Sequence, residues 1–84
     1  MNPISLLLEA SVVTPQTVLF EGKAHSVILP GEMGVFEVVT GHKPLLSRLI
    51  FGDVIIDDHP IPIRRGVVKV MLNRVLAIVE EGRS

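Results

Sequence analysis

The sequence predicts an all-β fold, a β-sandwich of about eight to ten short strands, on three observations. Apolar residues fill 48% of the 84 positions and aromatics only 4%, so the core must be built from Val, Ile and Leu. The β-branched members of that set favour strands. These residues fall in short runs, several alternating with period two, and the runs are separated by Pro, Gly, Asn and Asp. No amphipathic helical pattern extends beyond about two turns. A single domain over residues 1–84 is expected, because a chain this short supports one core and buries only about 60% of the surface its unfolded form exposes.

Ile4 to Val13 reads as the first strand, with Ile4, Leu6, Leu8, Ala10 and Val12 on one face. Thr14-Pro15-Gln16-Thr17 is turn chemistry, since Pro15 cannot donate to a ladder and holds Thr14 extended. Val18 to Gly22 is a short strand closed by its glycine. Ala24 to Leu29 follows, Val27 and Leu29 sharing a face, and Pro30-Gly31 ends it. The stretch from Gly31 to Leu46 concentrates three glycines, a proline and a histidine. It is expected to be a loop held for its shape, because Gly supplies φ > 0 and Pro fixes φ at about −65°. Leu45 to Ile50 is a strand or a single helical turn, which periodicity does not separate over so few residues.

Phe51-Gly52-Asp53 is a turn, Val54 to Asp57 a strand, and Asp57 to Pro60 the next reversal. Pro62 within Ile61 to Arg64 marks an edge strand or a strand end, since a central strand would need the missing N–H. Val67 to Leu72 and Val75 to Val79 form a hairpin with Asn73-Arg74 as its turn. Glu80 to Ser84 is a polar end.

Composition narrows the function. A net charge of −1 and a pI of about 6.3 give none of the basic excess that nucleic acid or an anionic membrane selects. With no Cys, disulfide scaffolds and thiolate metal sites are excluded. The apolar run from Ile4 to Leu8 stops at Glu9, far short of the roughly 20 residues of a membrane-spanning helix, and no export leader is recognisable, so a soluble cytosolic domain is expected. His25, His42 and His59 have no ligand spacing between them. Asp57-Asp58-His59 reads as a solvated turn rather than a cation site. His42, between Gly41 and Lys43-Pro44, reads as a structural or interface histidine, because no acid or nucleophile stands fixed beside it. The glycines match neither a dinucleotide nor a phosphate-loop spacing. No cofactor is expected, and no acid, base and nucleophile set can be assembled.

Val12-Val13-Thr14-Pro15, Phe20-Glu21-Gly22, Pro30-Gly31 with Gly34, Gly41-His42 with Pro44-Leu45-Leu46, and Gly66 leading through Val70 to Asn73-Arg74-Val75 occur in an order that resembles the N-terminal β-sandwich domain of the epsilon subunit of F-type ATP synthase. The resemblance runs from Leu8 to Glu80, and its specificity lies in the order rather than in any one motif. It implies a non-catalytic rotor subunit of the central stalk, docked on the gamma subunit and resting on the c ring. Its place would be peripheral, at the cytoplasmic side of the bacterial inner membrane. Thr14, His42 and Ser47 fall where the family faces gamma, and Gly31, Glu32, Met33, Gly34 and Val35 where it approaches the ring.

This sequence departs from the family pattern at Thr40 for a proline, Arg65 for the first of two glycines, and Lys69 for an acidic residue. Met33 and Val35 stand where acidic residues are frequent, which implies a more apolar contact with the ring. The resemblance also implies a short form lacking the family's C-terminal two-helix hairpin, which in many bacterial members inhibits ATP hydrolysis and can bind ATP. Neither property is expected of these residues by that route. The alternative reading is a free small β-domain that binds a peptide or a carbohydrate, using an edge near Pro62.

Overall fold

The computed structural model describes residues 7–82. The regular elements are all strands: β1 (Leu8–Val13), β2 (Val18–Ala24), β3 (Val27–Gly31), β4 (Gly34–Val38), β5 (Leu45–Leu49), β6 (Gly52–Ile56), β7 (His59–Met71) and β8 (Arg74–Glu81). They form one hydrogen-bonded network in the order β2-β1-β8-β7-β5-β3-β4, with β6 paired to both β3 and β7. β4, β3, β6 and the first part of β7 make one layer. The rest of β7, flanked by β5 on one side and by β8, β1 and β2 on the other, makes the second. The expected β-sandwich is thus the observed architecture.

β7 belongs to both layers because its alternation changes phase. Ile61 and Ile63 are buried, then Arg64 and Arg65 are both exposed, and Val68 and Val70 are buried. The register against β8 shifts between Ile63 and Arg65, so an extra residue flips which side chains face inward. Gly66 follows at the closest approach to β8. A Cβ there would stand 2.5 Å from the Ile78 carbonyl oxygen and 2.8 Å from Val79 Cγ1. Pro62 lies just before this bulge, where β8 has ended, and its carbonyl accepts from the Gly82 amide at 3.0 Å. Pro62 thus lies inside β7, opposite Asp53 of β6, rather than at the edge or strand end expected, and its missing N–H is tolerated because β8 has ended on the side its carbonyl faces.

The core is aliphatic. Leu8, Leu29, Ile63, Val68 and Val70 are at most 1% exposed, and no polar or charged side chain is buried among the described residues. The inward face expected of the first strand is correct for Leu8, Ala10 and Val12, while Ile4 and Leu6 lie outside the described residues.

Several boundaries differ from the sequence reading, and the runs Ile61 to Arg64 and Val67 to Leu72 are parts of one strand, β7, which already begins at His59 within the expected reversal. β2 runs through Gly22 to Ala24, and the chain bends at His25-Ser26 instead. Pro30 and Gly31 close β3 from within it. The Gly31 to Leu46 stretch is not one loop: β4 lies inside it and pairs back on β3, Gly31 opposite Gly34. The β7–β8 turn is Leu72-Asn73, one residue earlier than expected, with φ of 52° and 63°. Leu45 to Leu49, open between strand and helical turn, is a strand paired to β7.

Two substitutions test this account. Gly66→Ala is expected to lower stability by about 2 kcal/mol, since the added methyl meets backbone that cannot move away. Leu72→Asn is expected to raise it by about 1 kcal/mol, because Asn tolerates positive φ far better than Leu. Urea unfolding of the three proteins reads both.

Candidate functional site

One end of the sandwich is organised by Asn73. Its carbonyl accepts from the Glu9 amide and its Oδ1 from the Gly41 amide, each at 2.9 Å, so one turn residue ties β1 and the β4–β5 connection to the β7–β8 hairpin. Gly41 sits at φ 84°, where a side chain would be strained. His42 follows, its amide donating to the Val39 carbonyl at 3.1 Å and its Nδ1 to the Lys43 carbonyl at 2.7 Å. A carbonyl only accepts, so Nδ1 carries the proton and Nε2 is the nitrogen left for a partner. Leu46, 76% exposed, and Leu72, 85% exposed, flank this end.

The other end is made by the β3–β4 hairpin and the β5–β6 turn. The Glu32 amide donates to the Arg48 carbonyl at 3.1 Å and the Ile50 amide to the Pro30 carbonyl at 2.9 Å, which locks the two turns together. Gly31 is buried, whereas Met33 is 98%, Val35 73% and Phe51 78% exposed. Ile50, at 48%, extends the same surface. A groove of about 480 Å³ runs beside it, rimmed by Pro15, Glu32, Arg48, Arg65 and Glu80 over an apolar floor. It brings together no acid, base and nucleophile.

The sequence-derived residues divide between these ends. Gly31, Glu32, Met33, Gly34 and Val35 form one hairpin, as one contact would need. His42 lies at the Asn73 end. Thr14 does not join it: β1 starts beside Asn73 and runs away from it, which leaves Thr14 about 17 Å off, near the groove that Pro15 lines. The Thr14 hydroxyl is committed to its own turn, accepting from the Gln16 and Thr17 amides at 3.1 and 3.0 Å. Ser47 is half-buried in β5 opposite Val68, on the inward side of the strand, and its hydroxyl donates to the Arg48 carbonyl at 3.1 Å. Phe51 and Ile50 were missed. Phe51-Gly52-Asp53 signalled only a turn, and an aromatic residue at a turn tip was the available clue.

The Asp57-Asp58-His59 cluster is structural at Asp57. That residue adopts φ 53°, and its Oδ1 accepts from the His25 and Ser26 amides at 2.9 and 3.1 Å. The edge expected near Pro62 is occupied by β6 on one side and met by Gly82 on the other.

Fold and surface together define a small β-sandwich module with two shaped, partly apolar ends. The chain belongs to the family of the ATP synthase delta/epsilon chain β-sandwich domain, which residues 7–82 match. It is 37% identical over 75 residues to the ATP synthase epsilon chain of Chlorobaculum tepidum, covering 83% of this chain and 85% of that one. Against the epsilon chain of Campylobacter fetus it is 36% identical over 85 residues, covering 95% of this chain and 63% of the relative. Its fold also matches a chain in the central stalk and c-ring structure of the Tetrahymena thermophila mitochondrial ATP synthase, with a TM-score of 0.75 at 14% identity, over 88% of this chain and 63% of that one. The resemblance read from the sequence is borne out by these matches.

The tie between Gly41 and Asn73 has a direct test. Asn73→Ala is expected to cost about 1–2 kcal/mol and to speed amide exchange at Gly41. Asn73→Gly is expected to recover much of the stability but not the protection of that amide, since it restores the backbone fit without the acceptor. Hydrogen exchange followed by NMR separates the two effects.

Proposed function

We propose that this chain is a non-catalytic subunit of the central-stalk rotor in a proton-translocating F-type ATP synthase, where it docks the gamma subunit to the c ring and helps couple proton flow to ATP synthesis. The observation that supports this best is the pair of fixed ends on one aliphatic sandwich. The Asn73 end, with His42, faces gamma. The opposite end, with Met33, Val35 and Phe51, rests on the ring. In this reading the chain is peripheral to the membrane, at the cytoplasmic side of the bacterial inner membrane; no helix among the described residues is long and apolar enough to cross one.

Torque transmission needs a body that does not deform when pushed at one end and held at the other. Close-packed sheets of β-branched residues have low compressibility and pass strain along. The ring contact in this reading is apolar, because the hairpin tip offers Met33 and Val35 and the adjoining turn offers Phe51.

Co-expression with the cognate gamma subunit tests the reading: the two are expected to co-purify, and failure to do so with or without the c ring would falsify it. Gly41→Val is expected to weaken this assembly more than His42→Ala, because it strains the backbone that shapes the end. Equal tolerance of both would count against a shape-determined contact. Phe51→Asp is expected to leave gamma binding intact while lowering retention of the gamma-bound pair on the c ring.

A further inference from the structure

The hydrogen-bonded network ends in β2 on one side and β4 on the other. A strand in that position presents backbone N–H and C=O groups without a neighbour, and its sequence decides whether another chain can use them. β2 is guarded. Glu21 and Lys23 are exposed along it, and its register against β1 shifts between Val12 and Val13, a bulge that twists the edge. The first part of β7, where β8 has ended, carries Pro60 and Pro62, which have no N–H, and the Pro62 carbonyl is taken by the Gly82 amide. β4 has none of these devices. Gly34-Val35-Phe36-Glu37-Val38 holds no Pro and no Lys, and it pairs with β3 in unbroken register.

Which groups β4 offers follows from Pro30. Its carbonyl accepts from the Ile50 amide and so points away from β4. The N–H and C=O of a strand residue point to the same side, so Pro30 and Val35 form a non-hydrogen-bonded pair. Val35 therefore directs its N–H and C=O away from β3, and two residues on Glu37 does the same. The Ser26 carbonyl, in phase with Pro30, is likewise turned from β4 and takes the Asp57 amide. Among the described residues nothing pairs with β4 on its outer side.

We propose that this edge pairs, antiparallel, with β4 of a second copy about a two-fold axis at Phe36. The strand's own pattern selects both occupant and register. An axis at Phe36 sets Val35 opposite Glu37 of the second copy, and Glu37 opposite its Val35. Both residues direct their backbone groups across the join, which gives two mutually bonded pairs and about four hydrogen bonds. The two Phe36 side chains, half-buried against the core, then lie side by side, so the apolar layer continues from one copy into the next. An axis at Glu37 would set two carboxylates directly opposite each other, and an axis at Val35 would leave one bonded pair. The contact is self-complementary and closes at two chains. Val35 also belongs to the end assigned above to the ring, so the pairing is a state of the chain outside that assembly. It does not rest on that assignment.

Sedimentation equilibrium of the purified chain at up to about 1 mM tests the pairing, and a reversible dimer is expected. Glu37→Pro removes an edge donor from each copy without touching the ladder to β3, and is expected to weaken the dimer about tenfold or more. Val35→Glu and Val35→Lys read the register. The first sets like charges opposite each other twice over and the second sets opposite ones, so the lysine variant is expected to dimerise about tenfold more tightly than the glutamate variant. A chain that stays monomeric throughout the range overturns the proposal. So does a dimer that Glu37→Pro leaves intact, or one that the two Val35 variants affect alike, since another surface or register then holds it. Urea unfolding checks each variant, and should Glu37→Pro not fold, the Val35 pair carries the test.

Discussion

The structure depends on one change of phase in one strand. β7 is long enough to serve both layers, and the extra residue between Ile63 and Arg65 lets it do so while keeping its apolar side chains pointed at the same core. Without that residue a strand of unbroken alternation would bury Ile61 and Ile63 and then turn Val68 and Val70 to water. The two arginines at the bulge are exposed because both adjacent positions face outward there. Gly66 completes the device by letting β8 pass against the strand just beyond it. β5, β6 and β8 all pair with β7, so the sandwich is assembled around this bend.

Two side chains then fix the connections that the sheet leaves open. Asp57 and Asn73 both sit in hairpin turns at positive φ, and each uses Oδ1 to hold backbone amides about thirty residues away. Each hydrogen bond contributes only about 1 kcal/mol, yet its position matters more than its size. Asp57 pins the bend between β2 and β3, and Asn73 pins the connection that presents His42. The exposed ion pairs on the second layer, Glu9 with Lys23 and Arg74 and Arg65 with Glu80, contribute little by comparison, since such pairs are each worth about 0–1 kcal/mol.

These two ties also show where sequence reading stops. Alternation gave Leu8, Ala10 and Val12 their inward face, because that follows from properties of a few adjacent residues, whereas Pro62 lies inside β7 since the end of β8 beside it is set by distant pairing. β4 was hidden by its flanking glycines, although Phe36 and Val38 face inward and Val35 and Glu37 outward in regular alternation. The turn at Leu72-Asn73 was misplaced by one residue for a physical reason. Val70 must face Val75 inside the core, and that register leaves Leu72 at the tip however poorly Leu suits positive φ. Burial overrode turn propensity. Order along the chain was enough to suggest the family, but it does not carry distance. Nothing in the sequence says that Thr14 and His42 lie at opposite ends of a layer, or that Phe51 stands beside Met33 and Val35.

The unequal size of the surfaces bears on how such a domain could hold two partners at once. Burying Met33, Val35 and Phe51 would return about 1.5–3 kcal/mol each, or roughly 5–9 kcal/mol together. Bringing two bodies together costs about 4–15 kcal/mol before any ordering of side chains. That end alone would therefore be marginal as an attachment. A partner held elsewhere on the sandwich would make that contact intramolecular, so that its few residues act at high effective concentration.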